Sequence, residues 1–148
     1  AAYAQVTGVE VSPEAVGWAR RNRELLGLDV DLVEGDARTA LTGLDGQVDV
    51  VVTNPPYIPD DAVPVDPEVR DHDPELALYG GGEDGLGLPL AIATRAAVLL
   101  RPGGTLVMEH ADVQGESLPR ALIAAGLFGE VVDHTDLVGK PRHVVARR

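Results

Sequence analysis

The sequence predicts one α/β domain built on an open sheet, and three observations carry that expectation. Strand-like and helix-like segments follow one another as strand, helix, strand, strand, helix, strand, helix and two strands, the order of an α/β sheet. The run Val48 to Thr53 (VDVVVT) is almost continuously β-branched, as in a strand buried on both faces. The chain of 148 residues, with no cysteine, is long enough for one core and fits a single domain of the usual ~100–200 residues.

Each element has a local reason. Val6 to Val11 (VTGVEV) reads as a short strand. Ser12 then caps a helix whose first position is Pro13, where the missing N–H costs nothing. That helix runs to about Leu26, with Ala15, Trp18, Ala19 and Leu25 or Leu26 as its apolar side, and Gly27 supplies the left-handed stop. Val30 to Glu34 is a second strand and leads into Gly35-Asp36. After the Val48 strand, Asn54 to Gly87 is rich in Pro, Asp and Gly and predicts a long irregular insert, a feature often tied to function. A helix from Leu88 to Leu100 ends at Arg101-Pro102-Gly103-Gly104, a stop followed by a turn. Thr105 to Glu109 is a strand, Glu116 to Ala125 a helix ended by Gly126, and Glu130 to Asp133 and Arg142 to Ala146 are the last strands.

Composition excludes several chemistries. Without cysteine there is no thiolate nucleophile, disulfide scaffold or iron–sulfur cluster. His72, His110, His134 and His143 lie far apart in no metal-binding spacing, so no metal is expected. Lys plus Arg number 12 against 24 acids, a net charge of −12, which disfavours a nucleic-acid partner because phosphate contacts need cations. Fifteen acids against Arg38 and Arg70 fall between Asp29 and Asp84. A solvated face is the main reading of that run, and a docking face for a basic partner the minor one. No stretch is apolar enough to cross a membrane and no leader precedes the first strand, so a cytoplasmic location is expected.

Ligands of open α/β sheets bind beyond the carboxyl ends of the strands. Glu10, Asp36 and Asn54-Pro55-Pro56-Tyr57 occupy such ends. A carboxylate after the first strand can accept from both hydroxyls of a ribose, and Asp36 from an adenine amino group. Together they point to a nucleoside lying across the sheet. Pro55 and Pro56 hold their own φ near −65°, so the Asn54 side-chain carbonyl and the Pro55 backbone carbonyl can converge on a planar NH2 group. Tyr57 offers an aromatic face. The plain alternative is an ordinary Pro-Pro turn.

Asn-Pro-Pro-Tyr after a buried strand resembles the signature of class I S-adenosylmethionine methyltransferases that act on amide or amino nitrogens. The wider set VEVSPEA, VEGDA, VVTNPPYI, EVRDHDPELALYGGGEDGL, LRPGGTLVMEH and DLVGKPRHVVARR resembles the protein-(glutamine-N5) methyltransferases of the HemK/PrmC type. These modify the Gly-Gly-Gln loop of peptide-chain release factors. The resemblance implies a Rossmann-like sheet, mostly parallel with an antiparallel C-terminal strand, and lacking the family's first strand with its glycine-rich loop. It implies that residues 1–148 are part of one methyltransferase domain, that the chain begins just after that loop, and that this piece alone binds cofactor poorly and is inactive. It implies S-adenosylmethionine as cofactor and a release factor as partner. By position it implies Glu10 at the ribose, where Asp is usual, Asp36 and Ala37 against the adenine, and Asn54 beside the cofactor. Asn54 and Pro55 would hold the substrate amide, with Pro56 and Tyr57 shaping the slot. The family's Glu-Pro is Asp73-Pro74 here, a departure at one loop contact.

Gly80, Gly82 and Gly85 match G-x-G-x-x-G but follow no buried strand and stand beside Glu83 and Asp84, so they read as flexible turns rather than a phosphate cradle. The reaction implied is attack by a glutamine amide nitrogen on a sulfonium methyl, with no strong base evident. Holding the nitrogen in line would then contribute most, at best ~7–11 kcal/mol. Two other readings are an adenine-N6 nucleic-acid methyltransferase, because an exocyclic amino group fits the same slot, and a non-catalytic fragment of the fold.

Overall fold

A computed structural model describes residues 4–64 and 66–148. The chain divides into two compact units, Ala1–Thr42 and Gly43–Arg148.

In the first unit, β1 (Thr7–Glu10) and β2 (Asp31–Glu34) pair in parallel, with Glu10 opposite Glu34. The crossover between them is α1 (Pro13–Leu26). Its start and stop are those the sequence predicts. The Ser12 side chain accepts from the Ala15 N–H at 3.3 Å, and Gly27 takes the left-handed conformation at φ 61°. Its buried side matches the expected one only at Ala15 and Ala19, both half-buried. Val16 is buried, whereas Trp18, Leu25 and Leu26 are 56%, 79% and 66% exposed. The less exposed side of the helix runs through Ala15, Val16, Ala19 and Arg23, so the two alanines stand where expected and the large apolar side chains do not. Trp18 instead lies under the Arg21 guanidinium, 5.4 Å from the ring centre.

The second unit holds a four-stranded sheet in the order β3-β4-β6-β5. These strands are β3 (Val48–Thr53), β4 (Leu100–Glu109), β5 (Glu130–Thr135) and β6 (Pro141–Arg147). β3 and β4 are parallel, and both antiparallel pairings involve β6. β3, β4 and β5 therefore run one way and the C-terminal strand runs against them, as the resemblance implies. Alternation along the strands separates two faces. One face presents Leu106, Met108, Val144 and Ala146, all buried, and the buried side chains of α4 (Gly87–Leu99) and α5 (Ser117–Ala125) complete that core. On the other face Val52, Val107, Val145 and Val132 form one row in register across all four strands. Val52 is 74% exposed, so β3 is covered on one face only, contrary to the expectation from its β-branched run.

Two further differences concern irregular sequence. Arg101-Pro102-Gly103-Gly104 does not end in a turn before a new strand; it lies inside β4. The ladder with β3 skips from Val48↔Leu100 to Val50↔Thr105, absorbing these residues as an irregularity. The stretch after β3 is not structureless either. α2 (Pro67–His72) begins at Asp66, whose carboxylate accepts from the Glu68 N–H at 2.9 Å, and α3 (Glu75–Leu78) follows. Among the described residues no helix is long and apolar enough to cross a membrane.

Candidate functional site

In the first unit, β1 and β2 bring Glu10 and Asp36 to the same, carboxyl end of their sheet. Glu10 is half-buried and its Oε1 accepts from the Ser12 N–H at 2.7 Å. This ties the carboxylate to the start of α1, and its Oε2 accepts nothing from the described residues. Asp36 lies two residues beyond the end of β2, in a turn closed by the Thr39 and Ala40 N–H groups on its carbonyl. Its carboxylate is engaged by its own neighbour. Arg38 donates from Nε and Nη2 to Oδ2 at 2.9 and 2.5 Å, and its backbone N–H donates to Oδ1 at 2.8 Å. These bonds hold the Asp36 carboxyl below its ordinary value of 3.8 and push the Arg38 guanidinium up. An incoming amino group would have to displace Arg38, and the exposure of the pair to solvent makes it easily broken. Ala37, half-buried, sits in the same turn.

In the second unit, Asn54 is the first residue past β3. Its side chain is exposed and makes no hydrogen bond to the described residues, and the Pro55 carbonyl likewise accepts none. Pro55 itself is buried, and Pro56 and Tyr57 are half-buried. A loop that leaves two acceptors unused while burying its own proline is held from elsewhere, and two sets of contacts do so.

The first is backbone pairing with the glycine-rich segment. Ile58 bridges Tyr79 in parallel. The Ile58 N–H donates to the Leu78 carbonyl and the Gly80 N–H to the Ile58 carbonyl, each at 2.9 Å. Asp60 Oδ2 accepts from the Gly82 N–H at 2.7 Å. Gly80 and Gly85 are buried in this pairing. A Cβ on Gly85 would fall 2.1 Å from the Tyr57 carbonyl oxygen, and one on Gly80 2.8 Å from that of Pro56. These glycines are thus not the flexible turns expected; they allow two backbones to touch.

The second is Gln114, in the 3₁₀ turn Asp112–Gln114 that follows β4. Its Nε2 donates to the Tyr57 carbonyl at 2.9 Å and to the Asp84 carbonyl at 2.8 Å, and its Oε1 accepts from the Ala111 N–H at 3.0 Å. Arg142 also stands near the Tyr57 hydroxyl. Burial, followed by the charge of Glu109, raises the Tyr57 hydroxyl above its ordinary value of 10.0, and Arg142 opposes that rise. Arg142 is itself set by Asp136 Oδ2 at 3.4 Å. Beneath these, buried His110 faces Asp133 Oδ1 from Nε2 at 2.7 Å and the Ala111 carbonyl from Nδ1 at 2.8 Å.

Sequence reasoning missed Gln114, Arg142, His110 and Asp133 as parts of this arrangement. Their motifs were visible, but their partners lie 57 and 30 residues away for Gln114 and 23 for His110, beyond any local pattern. Among the described residues no group of His, Asp or Glu is placed to hold a metal ion.

The Methyltransferase domain family matches residues 1–66. A methyltransferase structure from Pyrococcus furiosus superposes with TM-score 0.67 at 26% identity, over 97% of this chain and 62% of that one. The release factor glutamine methyltransferase of Streptomyces coelicolor is 51% identical over 145 residues, 97% of this chain and 50% of its own length. A 4-amino-L-phenylalanine/4-methylamino-L-phenylalanine methyltransferase of Streptomyces pristinaespiralis is 49% identical over 123 residues, 83% of this chain and 41% of its own length. The chain spans about half the length of the curated relatives it matches.

In fold, then, the chain matches class I methyltransferases. By sequence it is similar to release factor glutamine methyltransferases, which match nearly all of it at 42–51% identity.

Proposed function

We propose that the protein containing this chain methylates the side-chain nitrogen of a glutamine in the Gly-Gly-Gln loop of a peptide-chain release factor, using S-adenosylmethionine. The observation that carries this reading is the pair of unused acceptors, Asn54 Oδ1 and the Pro55 carbonyl, on a loop otherwise pinned by Gln114 and the buried glycines. A primary amide has two N–H donors to satisfy two such acceptors.

The residues present suit the cofactor. The free oxygen of the Glu10 carboxylate can take hydroxyl donors of a ribose, and Asp36, once Arg38 swings aside, can take an amino group with Ala37 beside it. When bound, S-adenosylmethionine supplies an electrophilic methyl group. An amide nitrogen is a poor nucleophile because its lone pair is delocalised, so the chain's own contribution is orientation. Asn54 and Pro55 accept both N–H groups and fix the plane of the amide, and Pro56 and Tyr57 wall the slot. The same acceptors bind the N–H groups more strongly as they grow acidic, which favours the transition state over the ground state. The proton can leave after transfer, so no strong base is required.

A second reading has one specific support. The slot takes any planar NH2, and the Streptomyces pristinaespiralis relative is named for an aromatic amine substrate. Adenine-N6 methylation of nucleic acid is disfavoured by the net charge of −12. The experiment offers the whole protein labelled S-adenosylmethionine with a release factor, with 4-amino-L-phenylalanine and with duplex DNA. Label on the release factor glutamine alone supports the proposal, and label on either other substrate alone replaces it.

A further inference from the structure

We propose that Gln114 is a positioning residue for the amide slot, acting through the Tyr57 carbonyl; the inference deepens the reading above and rests on it. Gln114 is 3% exposed, and its amide is fully used, with both protons donated and its oxygen accepting. Neither the Tyr57 nor the Asp84 carbonyl accepts any other hydrogen bond from the described residues. One side chain therefore satisfies a carbonyl on each of two irregular segments and ties both to the end of β4.

The chemistry is specific to a primary amide of this length. Two N–H bonds diverging from one nitrogen can reach two separate carbonyls while the oxygen holds the Ala111 N–H. Glutamate would present an anion to both carbonyls, asparagine is one methylene short, and methionine fills the volume but donates nothing.

The brace reaches the slot through a short, stiff connection. Pro55 and Pro56 each have a fixed φ, which limits how far the Pro55 carbonyl can turn independently of the Tyr57 carbonyl. The glycine contacts leave the two segments no room to slide, since even a Cβ on Gly85 would overlap the Tyr57 carbonyl. Losing the two donors should turn the Pro55 carbonyl and Asn54 away from convergence without disturbing the first unit. A misplacement of the order of 1 Å near reacting groups can cost about 100-fold in rate.

The test uses the full-length protein and Gln114→Met, with Gln114→Glu as a second variant. Backbone hydrogen exchange is followed at Ile58, Gly80 and Leu88, whose N–H groups close the braced segments, and at Val144 and Val145 in β6 as a reference. Methyl transfer to the release factor and affinity for S-adenosylmethionine are measured on the same samples. The proposal expects exchange roughly tenfold or more faster at the three braced amides, with β6 unchanged. It also expects kcat down about 10- to 100-fold and cofactor affinity within about twofold. Faster exchange throughout the unit, or loosened segments with kcat unchanged, would overturn it. So would unchanged exchange in Gln114→Met. If the unaltered protein methylates no glutamine, the functional reading falls, and local against uniform exchange alone then decides the brace.

Discussion

His110 Nε2 and Asp133 Oδ1 lie 2.7 Å apart, joining the residue just past β4 to β5 across the intervening strand β6. His110 also receives its place from the backbone, its N–H donating to the Arg142 carbonyl at 3.0 Å. The pair fixes the exit of β4 immediately before the turn that carries Gln114. Replacing Asp133 by Ala leaves a buried ring nitrogen without its partner, a loss of about 1–3 kcal/mol. Urea unfolding of Asp133→Ala should show that loss, whereas no change would mean that the ring finds another acceptor.

Asn54 stands at the opposite extreme, exposed and unbonded among the described residues. Asn54→Ala should leave the unfolding midpoint in place and the affinity for S-adenosylmethionine nearly intact. Turnover on a release factor should fall by about 100-fold or more, the range seen when a transition-state hydrogen-bond partner is removed. A parallel loss of stability would assign Asn54 a structural role.

Two glycines with nearly the same φ separate backbone strain from crowding. Gly85 (φ 68°) has the Tyr57 carbonyl 2.1 Å from where a Cβ would stand, while Gly126 (φ 66°), at the end of α5, has nothing within 4 Å. Gly126→Ala should cost about 1–2 kcal/mol, the strain of a left-handed residue. Gly85→Ala should cost at least about 3 kcal/mol, because the two backbones must part as well. Equal losses in chemical unfolding would show that the glycine contacts are looser than described.

Asp136 predicts an acid limb of stability. Its carboxylate accepts from the Lys140 and Val138 N–H groups and from Arg142, which hold it below its ordinary value of 3.8. A depressed folded-state value contributes stability that is present above pH 3.8 and is lost as pH falls through the folded value. Asp136→Asn should therefore flatten the decline in stability below about pH 3.8. An unchanged acid limb would remove Asp136 from it.

What could be read ahead of the structure divides by range. Ser12, Pro13 and Gly27 act on their own neighbours, so both ends of α1 were legible; the bounds of β3 were legible for the same reason. Which side of α1 is buried, and whether Val52 is covered, depend on what packs there; the first expectation held only for Ala15 and Ala19, and the second failed. Asp66-Pro67-Glu68 carried a helix-start signal that the surrounding Pro, Asp and Gly obscured. Asn54 through Tyr57 stood out as a candidate slot because four adjacent residues share the chemistry. Gln114 did not, because its role lies in carbonyls of two distant segments and no spacing within its own turn encodes them.

The most direct measurement is the site of methylation itself. The full-length protein, S-adenosylmethionine and a release factor are incubated and the Gly-Gly-Gln peptide is fragmented by mass spectrometry, beside a reaction with Asn54→Ala. One methyl group on the glutamine side-chain nitrogen, lost in Asn54→Ala, is the predicted result. A methyl group on another residue, or on the glutamine with Asn54→Ala fully active, would contradict the account.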